Sequence, residues 1–134
     1  MNFLCKSYSP IFFKNLNLVK KIYHLSTCNT CQRILKELQL SDDVVLQDIK
    51  EEAITAQQLE AMKILSGSYE ALFSKRARLY REKDLKNQNL TEDDFKNYIL
   101  EHYTFLKRPV MLVDDQIFIG NAAKTVAAAK EALA

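Results

Sequence analysis

Only four residues of this 134-residue chain are glycine or proline: Gly67, Gly120, Pro10 and Pro109. Average usage would supply about nine glycines and seven prolines in this length. So little material for tight turns argues against a turn-rich β-sandwich or barrel. Two isolated glycines also cannot form a GxGxxG or Walker-type loop, which removes dinucleotide and P-loop chemistry. The remaining architectures combine helices with short strands. Apolar residues make up 48% of the chain, enough for one sizeable core but hardly two, so a single domain is expected. No uncharged stretch approaches the ~20 apolar residues of a membrane span, and the chain is read as soluble, with no membrane partner.

The net charge of +2 hides an asymmetry. Residues 1–36 carry six basic and no acidic residues, which leaves 13 basic against 17 acidic in the rest. A mildly acidic body lacks the basic excess of a domain that lives on nucleic acid, so no direct nucleic-acid contact is expected. Residues 1–18 show neither strand alternation nor a helical face. Lys6 and Lys14 interrupt any signal-peptide apolar run, and the segment has no Arg to support a transit peptide. It reads as a dispensable extension, with the domain spanning residues 19–134.

Within that domain, Lys21–Leu25 is strand-like, and Cys31, Ile34, Leu35 and Leu38 then fall on one helical face. Val44–Asp48 reads as a second strand, completing a βαβ unit. Thr55 with Gln58, and Thr91 with Asp94, have the spacing of capping boxes at two helix starts. The first of these helices carries Leu59, Met62 and Ser66 on one side, and the second carries Phe95, Tyr98, Ile99 and His102. A short helix is expected over Tyr69–Phe73, and the charged stretch Ser74–Lys86 is placed on the surface. Val110–Val113, Asp114-Asp115 and Gln116–Ile119 read as a hairpin. The last helix is Ala-rich, with Ala122, Val126, Ala129 and Leu133 as its packing stripe.

Cys5, Cys28 and Cys31 are too few for a disulfide framework, and the last two form a CxxC, which in a reducing compartment points to redox chemistry or metal; a cytoplasmic protein is expected. Only Cys5, His24 and His102 could complete a zinc site, and their spacing is irregular, so no metal is expected. At a strand-to-helix junction, the Cys28 sulfur would lie beside free backbone N–H groups at the positive end of a helix, which favours a thiolate. Cys31, one turn along, could attack an adduct on Cys28 and resolve it, or could simply pack. His24 could hydrogen-bond within the loop and hold its shape, or be structural only. Arg108 precedes Pro109 at a strand entry, where an X-Pro bond can be cis. Arg108 could present its guanidinium fork to an oxyanion or lie in solvent. Lys75, Arg76, Arg78 and Arg81 read either as a solvated face or as an anion or partner surface.

Three segments, Tyr23–Cys31, Ala71–Tyr80 and Leu106–Val110, together closely resemble the arsenate reductase (ArsC) family, including its CxxC-bearing, Spx-like branch. The likeness covers roughly residues 20–133. It implies an α/β thioredoxin-like fold: a mixed four-stranded sheet built from a βαβ half and a ββα half, with a helical insertion between them. By that resemblance Cys28 is the nucleophile, His24 the upstream histidine, and Arg108 the arginine of the Arg-Pro motif. Cys31 or glutathione resolves the adduct, and Asn29, Thr30, Arg76 and Pro109 join Arg108 in contacting a small oxyanion or thiol substrate. It also implies that no cofactor is tightly bound, with glutathione and glutaredoxin, or thioredoxin, supplying electrons to a monomer. An arginine that such reductases carry in the middle segment corresponds to Ser74, and a later one falls near Gly120 or Asn121, so the implied oxyanion clamp is incomplete. The Spx-like branch implies a second reading, a redox-sensing transcriptional regulator that binds RNA polymerase.

Overall fold

The computed structural model describes residues 19–134; the reading of residues 1–18 as an extension, with Cys5, lies outside the described residues. Strand β1 (Lys20–His24) leads through the cysteine loop into helix α1 (Asn29–Leu38), which returns to β2 (Val45–Asp48). Then come α2 (Ala56–Ser66), a 3₁₀ turn (Glu70–Leu72), α3 (Arg78–Glu82), a 3₁₀ turn (Leu85–Asn87), α4 (Glu92–Glu101) and a third 3₁₀ turn (Tyr103–Phe105). The hairpin β3 (Val110–Val113) and β4 (Gln116–Ile119) and the helix α5 (Ala123–Leu133) complete the fold.

The sheet order is β2-β1-β3-β4. Strands β1 and β2 are parallel, as a helical crossover requires, whereas β1–β3 and β3–β4 are antiparallel. This is the mixed sheet with an inserted helical segment that the family resemblance implies. Side chains alternate across it. Ile22 and Met111 pack with Ile34 and Leu38 of α1 and Val126 and Ala129 of α5 on one face. Tyr23 and Val110 face the insertion, where Leu59, Met62, Phe73, Phe95 and Phe105 form the larger core.

Both capping boxes form. Thr55 Oγ1 accepts from the Gln58 N–H at 3.0 Å while Gln58 Oε1 accepts from the Thr55 N–H at 3.1 Å. Thr91 and Asp94 repeat the exchange at 3.2 and 2.8 Å. Helix α2 ends at Gly67, whose φ of 97° is the left-handed conformation that glycine adopts without a Cβ clash.

Four local expectations are corrected. Ser74–Lys86 is not wholly surface: it contains α3, and Ala77 just before that helix and Leu85 in the turn after it enter the core, because single apolar residues are buried even within a charged run. Ala122 is exposed, since it is the residue before α5 and not part of its inward face. His102 lies beyond the end of α4, where its Nδ1 accepts from the Thr104 N–H at 3.1 Å and starts the next turn. Leu25 is buried but lies past the end of β1.

Candidate functional site

The site begins where β1 ends. Cys28 has extended backbone geometry (φ −97°, ψ 115°) and is the residue that precedes α1. Its N–H donates to the Leu25 carbonyl at 3.0 Å, and its own carbonyl accepts the first helical bond, from Gln32 N–H, at 3.1 Å. These bonds fix the loop and leave the sulfur beside the first turn of α1, which carries no acidic residue. The loop is also tied to β2: Asp48 Oδ1 accepts from the Ser26 N–H at 3.4 Å, and the Ile49 N–H donates to the His24 carbonyl at 2.9 Å. Hydrogen bonds from Ser26, with a contribution from the neighbouring His24, hold the Asp48 carboxyl below its ordinary range.

Cys28 and Cys31 are free thiols in unequal surroundings. Burial raises the Cys28 pKa, but hydrogen bonds from the Cys31 backbone and thiol and from the Thr30 N–H, together with the Arg108 charge, outweigh it. The thiol is therefore held below the usual cysteine value. Cys31 is fully buried, and burial, reinforced by the Cys28 charge, pushes its pKa up to about 11. The pair is thus divided into an ionisable outer sulfur and a protonated inner one that can donate to it.

A cavity of about 790 Å³ opens over Cys28. Thr30 lines it from α1, and Arg76 and Arg108 line it from the insertion and from the loop before β3. Arg108 Nη1 donates to the carbonyls of Thr104 and Leu106 at 3.4 and 3.3 Å. Among the described residues no carboxylate forms a salt bridge with it. Its charge is therefore oriented by its own loop and left to act on Cys28 and on whatever occupies the cavity.

Lys75 also lines the cavity, whereas the other sequence-derived candidates, His24, Asn29, Cys31, Arg78, Arg81 and Pro109, lie outside its lining. Cys31 sits in the core beneath Cys28. Asn29 is exposed on α1. Pro109 is fully buried, its bond to Arg108 is cis, and its carbonyl accepts from the Gly120 N–H at 2.9 Å. Its place is structural, next to the site but not lining it. The loop hydrogen bond considered for the His24 side chain does not form at Nδ1, which is buried without a partner among the described residues.

Sequence reasoning missed two charged lining residues, Glu70 and Lys107. Lys107 is signalled only by its adjacency to Arg108, and nothing local marks Glu70. Among the described residues no cluster of three or more His, Cys, Asp or Glu could hold a metal ion. No helix there is long and apolar enough to cross a membrane.

Comparison with known proteins places this geometry in context. The model of the ArsC family matches residues 23–129. The Bacillus cereus global transcriptional regulator Spx 2 is 23% identical over 103 residues, covering 74% of this chain and 77% of its own. An arsenate reductase from Vibrio cholerae superposes with a TM-score of 0.70 at 19% identity, covering 87% of this chain and 98% of that one. An arsenate reductase related protein from Brucella melitensis gives 0.64 at 22% identity, covering 82% and 92%. At such identities the structural likeness speaks for the fold, which is that of ArsC-type thioredoxin-like proteins.

Proposed function

The chain belongs to the ArsC family, and on that footing we propose that it is a thiol-dependent oxidoreductase with Cys28 as its nucleophile. The observation that carries this reading is the meeting of two features in one cavity above a third. A cysteine with a lowered pKa at the start of a ten-residue helix shares the cavity with an oriented arginine that has no carboxylate partner among the described residues, and a buried, protonated cysteine lies in the core beneath.

In the proposed mechanism the Cys28 thiolate attacks an oxyanion such as arsenate, or one sulfur of a disulfide. Arg108, and Arg76 from the helical insertion, neutralise the charge that develops on the oxyanion or leaving group. The adduct is resolved by Cys31, giving a Cys28–Cys31 disulfide, or by external glutathione. The high pKa of Cys31 suits it to donate a hydrogen bond to the thiolate first and to act as nucleophile only after losing its proton. Glutathione with glutaredoxin, or thioredoxin, then returns the electrons, and no tightly bound cofactor takes part. A reducing compartment such as the cytoplasm keeps the pair in the dithiol state.

Arsenate-dependent NADPH oxidation, measured with glutathione, glutaredoxin and glutathione reductase, tests the reaction. Turnover that requires Cys28 supports it. The absence of turnover with both the glutaredoxin and the thioredoxin systems overturns arsenate as the substrate and leaves only the attack on a disulfide. The match to the Spx 2 regulator favours a second reading, in which the same CxxC is a redox switch on a surface that binds RNA polymerase. Redox-dependent capture of purified polymerase by a chain inactive in both reductase assays would favour that reading.

A further inference from the structure

A tetrahedral oxyanion fills two or three water volumes, roughly 60–90 Å³, whereas the cavity over Cys28 measures about 790 Å³. Its walls carry both signs of charge. Arg76, Lys107 and Arg108 have no salt-bridge partner among the described residues. Facing the same space, Glu70 accepts from Lys75 Nζ at 2.8 Å, with both side chains about half exposed (52% and 53%). An ion pair this exposed is weak and exchanges readily with ligand groups. Glu70 is nevertheless fixed at its backbone. The Glu92 carboxylate accepts from the N–H groups of Tyr69 and Glu70 at 2.7 and 3.2 Å, and Ser68 Oγ accepts from the Ala71 N–H at 3.1 Å. A carboxylate held in this wall opposes a compact, multiply charged anion, and it also neutralises the lysine that would otherwise attract one.

We infer that this site takes a disulfide of the amino-acid or short-peptide class, bearing an ammonium group as well as a carboxylate, and that Glu70 is the residue that selects it. The inference rests on Cys28 acting as a thiol nucleophile. Glu70 receives the ammonium group, while Lys107 or Arg76 receives the carboxylate. The Cys28 thiolate forms a bond to one substrate sulfur as the substrate S–S bond breaks and releases the first thiolate, which takes up a proton from solvent. Cys31 then loses its proton and attacks the Cys28 sulfur, releasing the second thiolate. The two electrons of the Cys28–Cys31 dithiol have passed to the substrate, which leaves as two thiols.

Single-turnover oxidation of the reduced protein tests this without any added reductant, on a Cys5→Ser background so that only Cys28 and Cys31 report. Four disulfides of differing charge are compared at constant ionic strength: cystine, cystamine, dithiodipropionate and neutral hydroxyethyl disulfide. Each rate is divided by the rate at which dithiothreitol reduces the same compound, which removes differences in intrinsic reactivity. Cystine is expected to lead. Glu70→Gln should slow cystine and cystamine about threefold and speed dithiodipropionate by a similar factor, the size expected of a solvent-exposed charge contact. Lys75→Gln should slow dithiodipropionate. Unchanged ratios in Glu70→Gln, with hydroxyethyl disulfide still oxidising the pair, would overturn the role of Glu70 and leave the thiol chemistry standing. If none of the four compounds oxidises the pair, the thiol reading fails and this inference fails with it.

Discussion

Phe73 and Leu106 pair in a single antiparallel bridge outside the main sheet. The Ser74 N–H donates to the Phe105 carbonyl at 2.7 Å, and the Lys107 N–H donates to the Leu72 carbonyl at 2.8 Å. The bridge fastens the helical insertion to the loop before β3, so that Arg76 and Arg108 line one cavity although they lie far apart in the chain. Both bridge residues are buried, and Phe73 stacks on Phe105 with ring centroids 5.3 Å apart while packing against Phe95 at 4.8 Å.

Phe73→Ala should therefore cost about 3–5 kcal/mol of unfolding free energy, as for other large aromatic truncations in a packed core. Chemical denaturation measures it. A loss below about 1 kcal/mol would show that the bridge does not depend on this side chain.

The two thiols should titrate far apart. Thiolate reactivity toward iodoacetamide follows the ionised fraction, so Cys28 labelling should rise with pH and reach its midpoint below that of a cysteine in the unfolded chain. A lowered pKa means that more thiolate is present at neutral pH than in an unfolded chain. Cys31, raised to about 11 and fully buried, should remain unlabelled throughout that range. Mass spectrometry of the labelled peptides separates the two, and equal labelling at pH 7 would contradict the assignment.

Cys28→Ser should abolish turnover. Cys31→Ser separates the two modes of resolution: activity persists if glutathione resolves the adduct, and the protein is trapped as a Cys28 adduct if Cys31 does so. Intact-mass measurement after exposure to a disulfide reads the adduct directly. Full turnover of Cys28→Ser would remove the proposed nucleophile.

Arg108→Gln keeps a hydrogen-bonding side chain but removes the charge. Because that charge lowers the Cys28 pKa, the labelling midpoint should move upward. Loss of a preorganised anion-stabilising donor should lower kcat/KM for an oxyanion substrate by roughly 10²-fold. An unchanged midpoint would place the Arg108 guanidinium outside the electrostatic reach of the sulfur.

Features written within a few residues were legible before the fold was known. The Thr55–Gln58 and Thr91–Asp94 exchanges, the Asp114-Asp115 hairpin and the placement of Cys28 immediately before a helix each depend on neighbours three or four positions away. Chain pattern was less informative about inward direction. Ala122 has the spacing of a packing residue but precedes its helix, and Ala77 and Leu85 are buried inside a run whose charges suggested solvent.

Sequence alone thus determined that Cys28 lies at a helix start, with Cys31 one turn behind it, because backbone geometry and helical period act locally. Only the tertiary structure decided what surrounds that sulfur. The Phe73–Leu106 bridge and the aromatic core bring Arg76, Lys107 and Glu70 to the same cavity from separate segments. Burial of Cys31 sets the two thiols apart. The physical reason is that desolvation and charge–charge interaction depend on distance through space, whereas spacing along the chain records only which residues share a turn or a strand face.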